Sequence, residues 1–341
     1  MAHQSLDELE WYLRRLRYAH REGKLVFVVG AGINKEYGLP DWAQMLVQLT
    51  AGCGKLHTPP ADTTGGAAEK ANRTPLLGPK QFIDDVIADP LLQAAAIRGA
   101  YANPSDWIRA LRRVLAYSPS VLDDKDKPLG KVAKIAVRQY RKDPRRHIAI
   151  LTFNFDDLIE GALRKELGDP EAKRVVASVS NAVELARARQ RPGIYVYHLH
   201  GSLANEESDI VLDAYTYVSI LAAPGIHWSW ACMNMFLFQK DSGSMFIGLS
   251  LLDPSLRLLL TQSATNGMPL SAIFVGKPLD PPLLDSNSLA LRNAWMMHDV
   301  EKLFDNLLEE LSLIPYHVTE WSEVGYLLDK VMEIDKVMDD V

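Results

Sequence analysis

Short apolar runs recur along this chain, and segments with a helical spacing of apolar residues separate them. A nearly continuous apolar run is typical of a strand whose two faces are both covered, as in parallel sheets. Strands that alternate with helices predict βαβ units and a mainly parallel sheet. The predicted strands span residues 24–29, 147–153, 194–200, 209–212, 244–250, 270–276 and 316–321. The sequence therefore predicts an α/β fold.

The segments between these strands carry the helical period. Predicted helices span residues 6–21, 41–50, 156–167, 180–189, 213–222, 228–240, 254–264, 299–312 and 322–338. Residues 52–79 are rich in glycine, proline, threonine and alanine, which predicts a long loop, and residues 80–140 return to helical spacing. We therefore divide the chain into a sheet domain (1–50 and 146–341) and a loop plus helical insertion subdomain (51–145).

Composition narrows the function. The net charge of −6 argues against nonspecific nucleic-acid binding as the main activity, because phosphates need a basic surface. The basic run 131–147 is the local exception, although such a run is more often a solvated helix face. Two cysteines exclude a disulfide scaffold and a four-cysteine zinc site. No signal core precedes residue 10 and no apolar run reaches the roughly 20 residues that cross a bilayer, so we expect a soluble cytoplasmic protein.

Polar residues and glycines follow four of the predicted strands. In open parallel sheets, ligands bind at the carboxyl ends of the strands, so these positions are the candidates for a site. They are Gly30-Ala31-Gly32, then Asn154, Asp156 and Asp157, then His198 and His200, and finally Gly248, Ser250 and Asp253. Their convergence on one edge predicts a ligand site there.

Each of these positions also has a structural interpretation. Gly30 and Gly32 could bring backbone N–H groups to a pyrophosphate, or could form a tight turn; Lys35 stands where a dinucleotide fingerprint needs a third glycine. Asp156 and Asp157 suit the first turn of a helix, and Asp253 before Pro254 suits an N-cap.

The two histidines leave similar alternatives open. His198 and His200 would share one face of a continuing strand and could bind a metal, but no carboxylate or cysteine cluster in the sequence completes such a site. His198 otherwise fits a buried core histidine. His200 precedes a glycine at the strand end, which favours an exposed, reactive position.

Taken together, five blocks resemble the sirtuin family in order and spacing. They are GAGIN (30–34), GLPDW (38–42), TFNFD (152–156), HLHGS (198–202) and GLS (248–250). The resemblance spans most of the chain outside 51–145. It implies a Rossmann-like parallel sheet with helices on both faces and a helical insertion, with NAD as the ligand.

The departures from the sirtuin pattern are informative. Asn34 stands in place of a serine, Ala43 in place of an arginine, and two cysteines cannot build the zinc module of protein-deacylating sirtuins. A zinc-free form with a helical insertion is similar to the sirtuin-like domains of bacterial antiphage defence systems. This likeness implies an NAD glycohydrolase that acts in abortive infection, without zinc and with no cofactor beyond NAD as substrate.

The same resemblance implies residue roles. Asn154 would position the ribose or the attacking water, His200 would act as general base, and Asp156 would face the nicotinamide carboxamide. Gly30, Ala31 and Gly32 would contact the diphosphate, and the segment 38–42 would fold over the nicotinamide ribose. The full set expected to contact NAD is Gly30, Ala31, Gly32, Asn34, Asp41, Trp42, Asp156, Gly248 and Ser250.

Two other functions remain open from the sequence. One is NAD-dependent deacylation, and the other is a non-catalytic subunit that binds NAD or ADP-ribose within a defence complex. We expect a homo-oligomer, with a co-encoded partner such as a translocase-type ATPase or a nuclease. We expect neither membrane association nor direct nucleic-acid binding.

Overall fold

A computed structural model describes residues 6–52, 90–206, 208–222, 227–238, 242–249, 253–265, 272–276, 313–318 and 320–332. Its strands are β1 (Leu25–Val29), β2 (His147–Thr152), β3 (Val176–Val179), β4 (Gly193–His198), β5 (Gly243–Ile247), β6 (Ala272–Gly276) and β7 (Leu313–His317). These seven strands form one sheet in the order β3-β4-β2-β1-β5-β6-β7, and every pairing is parallel. The predicted α/β fold with a parallel sheet is confirmed.

The strand order locates the crevice of the sheet. Apart from the edge strand β3, the order of the other strands is that of a doubly wound dinucleotide fold. The chain builds outward from β1 in one direction through β2 and β4, and in the other through β5, β6 and β7. Ligands bind where this direction reverses, outside the carboxyl ends of the strands. The relevant crevice therefore lies beyond β1 and its neighbours β2 and β5.

Helices cover both faces of the sheet. Their bounds are α1 (Leu6–Arg21), α2 (Trp42–Ala51), α3 (Pro90–Ala100), α4 (Pro104–Val114), α5 (Pro128–Lys142), α6 (Leu158–Leu167), α7 (Asp169–Val175), α8 (Ala182–Ala188), α9 (Ala214–Ala222), α10 (Trp228–Leu237), α11 (Pro254–Thr265) and α12 (Ser322–Met332). Short 3₁₀ helices span Ala31–Tyr37 and Pro119–Leu122. Among the described helices, none combines the length and apolarity that a membrane crossing requires.

Strand alternation divides the core into two layers. In β1, Leu25, Phe27 and Val29 face one layer, whereas Val26 and Val28 face the other. The first layer is completed by α1, α5, α6 and α12, and the second by α8, α9, α10 and α11. Burial on both faces explains why the strands are almost wholly apolar.

A third apolar cluster joins the helical insertion to the sheet. Side chains of α2, α3 and α4 pack with Phe155, which follows β2, and with Leu203 and Leu212, which follow β4. Arg98 of α3 also donates to the buried carboxylate of Asp213 at 2.6 Å. By contrast, α5 packs in the sheet core against α6 and α12. The domain boundaries at residues 51 and 145 stay a prediction.

Local differences from the predicted elements have physical causes. Residues 209–212 form no strand, because an apolar run of four residues is too short for its periodicity to be diagnostic. The pattern missed the edge strand β3, whose Ala177 and Ser178 are exposed. Strand β7 begins before Pro315, and a proline is tolerated at a sheet edge. The predicted helix 299–312, residues 53–79 of the predicted loop and residues 333–338 lie outside the described residues.

Candidate functional site

Register places the ends of the central strands level with one another. Val29 of β1 pairs with Thr152 of β2 and with Ile247 of β5, and Thr152 pairs with His198 of β4. The residues that follow these strands therefore leave the sheet at one edge. This confirms the predicted convergence of the polar and glycine positions.

Glycines allow the backbones after β1 and β5 to touch. Gly30 N–H donates to the carbonyl of Ile247 at 2.9 Å, and Gly32 N–H donates to that of Gly248 at 2.8 Å. A Cβ on Gly30 would lie 2.5 Å from the Gly248 oxygen, and Gly248 itself has a φ of +68°. These glycines therefore allow two backbone segments to pack closely, and their contact with a diphosphate stays a prediction. Both N–H groups are used inside the protein, so a diphosphate at this turn would need other donors.

Asn34 and Asp156 form a largely buried polar pair beside this turn. The amide nitrogen of Asn34 donates to Oδ2 of Asp156 at 2.6 Å, and Leu158 N–H donates to Oδ1 at 3.1 Å. Burial raises the pKa of Asp156 to about 6. Within the described residues, Oδ1 of Asn34 is buried without a hydrogen-bond partner. The pair thus presents one unsatisfied acceptor and one carboxyl that titrates near neutral pH.

Backbone contacts hold Asn154 in place. Its N–H donates to the Thr152 hydroxyl at 3.1 Å, and its carbonyl lies 3.0 Å from Nδ1 of His198. The residue is 5% exposed. The hydrogen bonds seen for Asn154 among the described residues are made by its backbone.

His198 is a core histidine. It is completely buried, and its Nε2 lies 2.8 Å from Oε1 of Glu160, which also accepts from the Ser178 hydroxyl. Burial disfavours the charged forms, but mutual attraction prevails: the pKa of His198 is raised and that of Glu160 is lowered. Through its contact with the Asn154 carbonyl, His198 therefore holds the backbone of Asn154 in place. Among the described residues, no three metal-binding side chains of the His, Cys, Asp or Glu type cluster together.

His200 is buried, and the expectation of an exposed position was wrong. Strand β4 ends at His198, so the chain turns and carries the His200 ring inward, leaving 4% of the residue exposed. Its Nδ1 lies 3.3 Å from the Tyr217 hydroxyl and its Nε2 lies 3.3 Å from the Ser255 hydroxyl. The Phe153 ring packs nearly perpendicular to the imidazole, with 4.7 Å between centroids.

Asp253 organises the residues around His200. It accepts from Tyr217 at 2.5 Å and from the Ser255 hydroxyl at 2.6 Å, and lies 3.6 Å from Nε2 of His200. It also caps α11, because Leu256 N–H donates to its Oδ1 at 2.8 Å. The predicted N-cap is confirmed. Sequence reasoning missed the contacts to His200 and Tyr217, because no local pattern links positions this far apart in the chain.

Four further residues were expected to contact NAD, namely Ala31, Asp41, Trp42 and Ser250. Asp41 caps α2 through Gln44 and pairs with Lys35 at 2.9 Å, so its carboxylate serves its own helix. Trp42 packs on the third cluster, and its indole N–H has no partner among the described residues. Ala31 is exposed beside the glycine turn, and Ser250 lies outside the described residues.

A cavity of about 840 Å³ adjoins the site. Its lining includes Asp156 and the buried side chains Phe155 and Leu203, together with the exposed side chains Arg112 of α4 and Arg164 of α6. Its volume falls within the range of small-molecule pockets, about 300–1,000 Å³. The space next to Asp156 is therefore large enough for a ligand.

Comparison with known proteins agrees with this geometry. Residues 148–291 match a family model described as the SIR2-like domain. The matched segment includes Asn154, Asp156, His200 and Gly248, whereas the GAGIN and GLPDW blocks precede it. No curated protein gives a significant match. A SIR2-like, that is sirtuin-like, domain is thus found at residues 148–291 of this chain.

Proposed function

We propose that this protein is an NAD glycohydrolase that cleaves NAD to nicotinamide and ADP-ribose. The observation that carries the proposal is the arrangement at one sheet edge, inside the SIR2-like segment. There, Asn154 follows β2 and the buried His200 follows the neighbouring strand β4, while burial raises the pKa of Asp156, two residues beyond Asn154, to about 6. SIR2-like domains are typically NAD-dependent enzymes, which makes NAD the expected substrate.

The nicotinamide end of NAD fits the Asn34–Asp156 pair. The unsatisfied Oδ1 of Asn34 can accept from the carboxamide NH₂ group, and a protonated Asp156 can donate to the carboxamide oxygen. A buried acceptor without a partner costs about 1–3 kcal/mol, so a ligand that supplies a donor recovers this free energy. The adjoining cavity reaches Asp156, although Asn34, Asn154 and His200 are not among the residues that line it.

The reaction breaks the bond between the nicotinamide nitrogen and C1′ of the ribose. The electron pair leaves with nicotinamide, which becomes neutral, and the ribose passes through a state that resembles an oxocarbenium ion. Water then adds its oxygen to C1′ and loses a proton to His200. Burial lowers the pKa of His200, against the opposing charge of Asp253, so the ring is neutral near pH 7 and can accept that proton.

Loss of either proposed catalytic side chain tests the assignment. We expect Asn154→Ala and His200→Ala to reduce nicotinamide release at least a hundredfold, a typical contribution of a general base or a positioning group. Nicotinamide is quantified by liquid chromatography and mass spectrometry, and circular dichroism checks folding. Asn234→Ala is the matched control, because Asn234 is exposed on α10. Full activity in both site variants would refute the assignment.

Product identity separates this function from its two alternatives. Hydrolysis gives free ADP-ribose with no acyl peptide present. A deacylase gives O-acyl-ADP-ribose and requires the peptide, whereas a non-catalytic subunit binds NAD without consuming it. We favour hydrolysis because both Asn154 and His200 are present and buried at the sheet edge.

We further propose an antiphage role in abortive infection, with activity that depends on assembly. An unregulated NAD hydrolase would deplete its own cell. Exposed apolar side chains on α9, Tyr215 and Val218, offer surface for a second copy or for a co-encoded ATPase or nuclease. Full activity of a monomer, shown by light scattering in parallel with NAD turnover, would contradict this dependence.

A further inference from the structure

We propose that Asp253 is a positioning residue that acts on His200 through two hydroxyl groups, those of Tyr217 and Ser255. The inference deepens the proposed function, since His200 is the base of that reaction. Asp253 precedes α11, Tyr217 lies on α9, and Ser255 lies in the first turn of α11. These three side chains, from two separate helices, meet at the imidazole ring.

Proton counting shows what this arrangement does. Tyr217 and Ser255 each have one hydroxyl proton, and each donates it to Asp253, at 2.5 Å and 2.6 Å. Both hydroxyl oxygens can therefore only accept from the nitrogens of His200, which lie 3.3 Å away. A neutral imidazole has one N–H and can satisfy one of these acceptors. An imidazolium has two N–H groups and satisfies both.

The neutral ring is thus ready to accept a proton. One nitrogen donates to a hydroxyl, and the other keeps its lone pair, because the hydroxyl beside it has given its proton to Asp253. In the proposed reaction the hydroxyl beside this nitrogen relays the proton, since it gives its own proton to the nitrogen and takes the proton that the attacking water loses. The new N–H then bonds the hydroxyl oxygen, and the negative charge of Asp253 stabilises the imidazolium. Both tautomers of His200 allow this step, because each ring nitrogen has a hydroxyl beside it.

The other groups around the ring do not replace Asp253. His227, before α10, also faces His200, and its own positive charge would lower the pKa of His200. The pKa of Tyr217 is raised well above its usual value by burial and by Asp253, so its phenol stays protonated. Phe153 also packs against His200, with the two ring planes nearly perpendicular, but it carries no charge. Among the described residues, Asp253 is therefore the anion whose charge favours the protonated form of His200.

A purely structural role for Asp253 makes a different prediction. Asp253 is the N-cap of α11, and asparagine caps a helix about as well as aspartate. Asp253→Asn therefore keeps the cap and removes the charge. If Asp253 only caps α11, this substitution should change neither the pKa of His200 nor the pH profile of the enzyme.

The test is a titration of His200 by nuclear magnetic resonance, with its ring signal assigned through His200→Gln. We expect the pKa of His200 to fall by about one pH unit or more in Asp253→Asn, because an adjacent opposite charge has been removed. Tyr217→Phe should lower it as well, since it takes away one acceptor. Asp169→Asn, at an exposed position where α7 begins, is the control and should leave the titration unchanged.

Enzyme kinetics provide the second measurement. The acid limb of kcat/KM should move to lower pH in Asp253→Asn, and kcat should fall at least tenfold while KM changes little. An unchanged His200 pKa in Asp253→Asn would overturn the inference. The titration needs no NAD turnover, so a failure of the proposed hydrolase activity and a failure of this inference are distinguishable.

Discussion

Asp156 is a residue whose charge depends on the fold. Its pKa rises from 3.8 to about 6 through burial. A raised folded pKa means that the protonated carboxyl stabilises the fold at low pH, and that this stability is lost as pH rises through about 6. Linkage at 1.36 kcal/mol per pKa unit puts the loss at no more than about 3 kcal/mol.

Asp156→Asn should remove this pH dependence. We expect the variant to unfold with nearly the same free energy at pH 4 and pH 7, apart from contributions of other groups, whereas the wild type loses stability between them. Urea unfolding at the two pH values measures this difference. Asp157→Asn is the control, and an identical pH response in wild type and Asp156→Asn would contradict the assignment.

The His198–Glu160 pair should matter for both stability and the site. Each partner neutralises the other's buried charge, so Glu160→Gln leaves His198 buried without its counter-ion. Breaking a buried pair typically costs about 3–5 kcal/mol. Urea unfolding should show a loss of this size, with a much smaller loss in Glu166→Gln, whose partner contact with Lys125 is on the surface. A loss below about 1 kcal/mol would contradict the role of the pair.

Individual site residues were only partly predictable. Asn154, Asp156 and His200 could be singled out because each follows an apolar run, and the structure brings their strands to one edge. The partners Tyr217 and Ser255 could not, since their approach to His200 depends on how α9 and α11 pack. The inward turn of His200 likewise depends on where β4 stops.

At the scale of elements, the glycines that follow β1 and β5 let the two backbones cross in close contact. Gly248 has a left-handed φ of +68°, and a Cβ there would lie 2.5 Å from the Ile33 nitrogen. We expect Gly248→Ala to destabilise the protein by about 1–3 kcal/mol through backbone strain and steric overlap.

A second glycine provides the comparison for this substitution. Gly99 lies in α3, and the space that a methyl group on its Cα would occupy is open, so Gly99→Ala should be neutral or stabilise by up to about 1 kcal/mol. Thermal unfolding of the two variants measures the contrast. Equal melting temperatures would show that the crossing tolerates a side chain.

Most elements were predictable because their periodicity is strong. Helix α1 has its predicted bounds of Leu6–Arg21, and the buried strands β1, β2 and β5 were predicted to within a few residues. The failures lie where burial is incomplete or pairing is not local. Edge strand β3 has only four residues and exposes Ala177 and Ser178, and in the run 209–212 Val211 is held by a loop contact to His200.

At the scale of the whole molecule, the helical insertion packs against the same sheet edge that carries the candidate site. Phe155 and Leu203 belong both to the apolar cluster with α2, α3 and α4 and to the wall of the cavity. The position of the insertion therefore determines the shape of the space beside Asp156. The sequence predicted a parallel sheet with a helical insertion. It could not predict how the insertion packs against the sheet, because this depends on tertiary contacts that no local pattern encodes.

The central claim is that this sheet edge hydrolyses NAD. The most direct measurement incubates the purified protein with NAD, alone and with any protein that co-purifies with it, and identifies every product by mass spectrometry. We predict equal amounts of nicotinamide and free ADP-ribose without an acyl peptide, and loss of both products in Asn154→Ala. Intact NAD in both incubations, or products that persist unchanged in Asn154→Ala, would contradict the account.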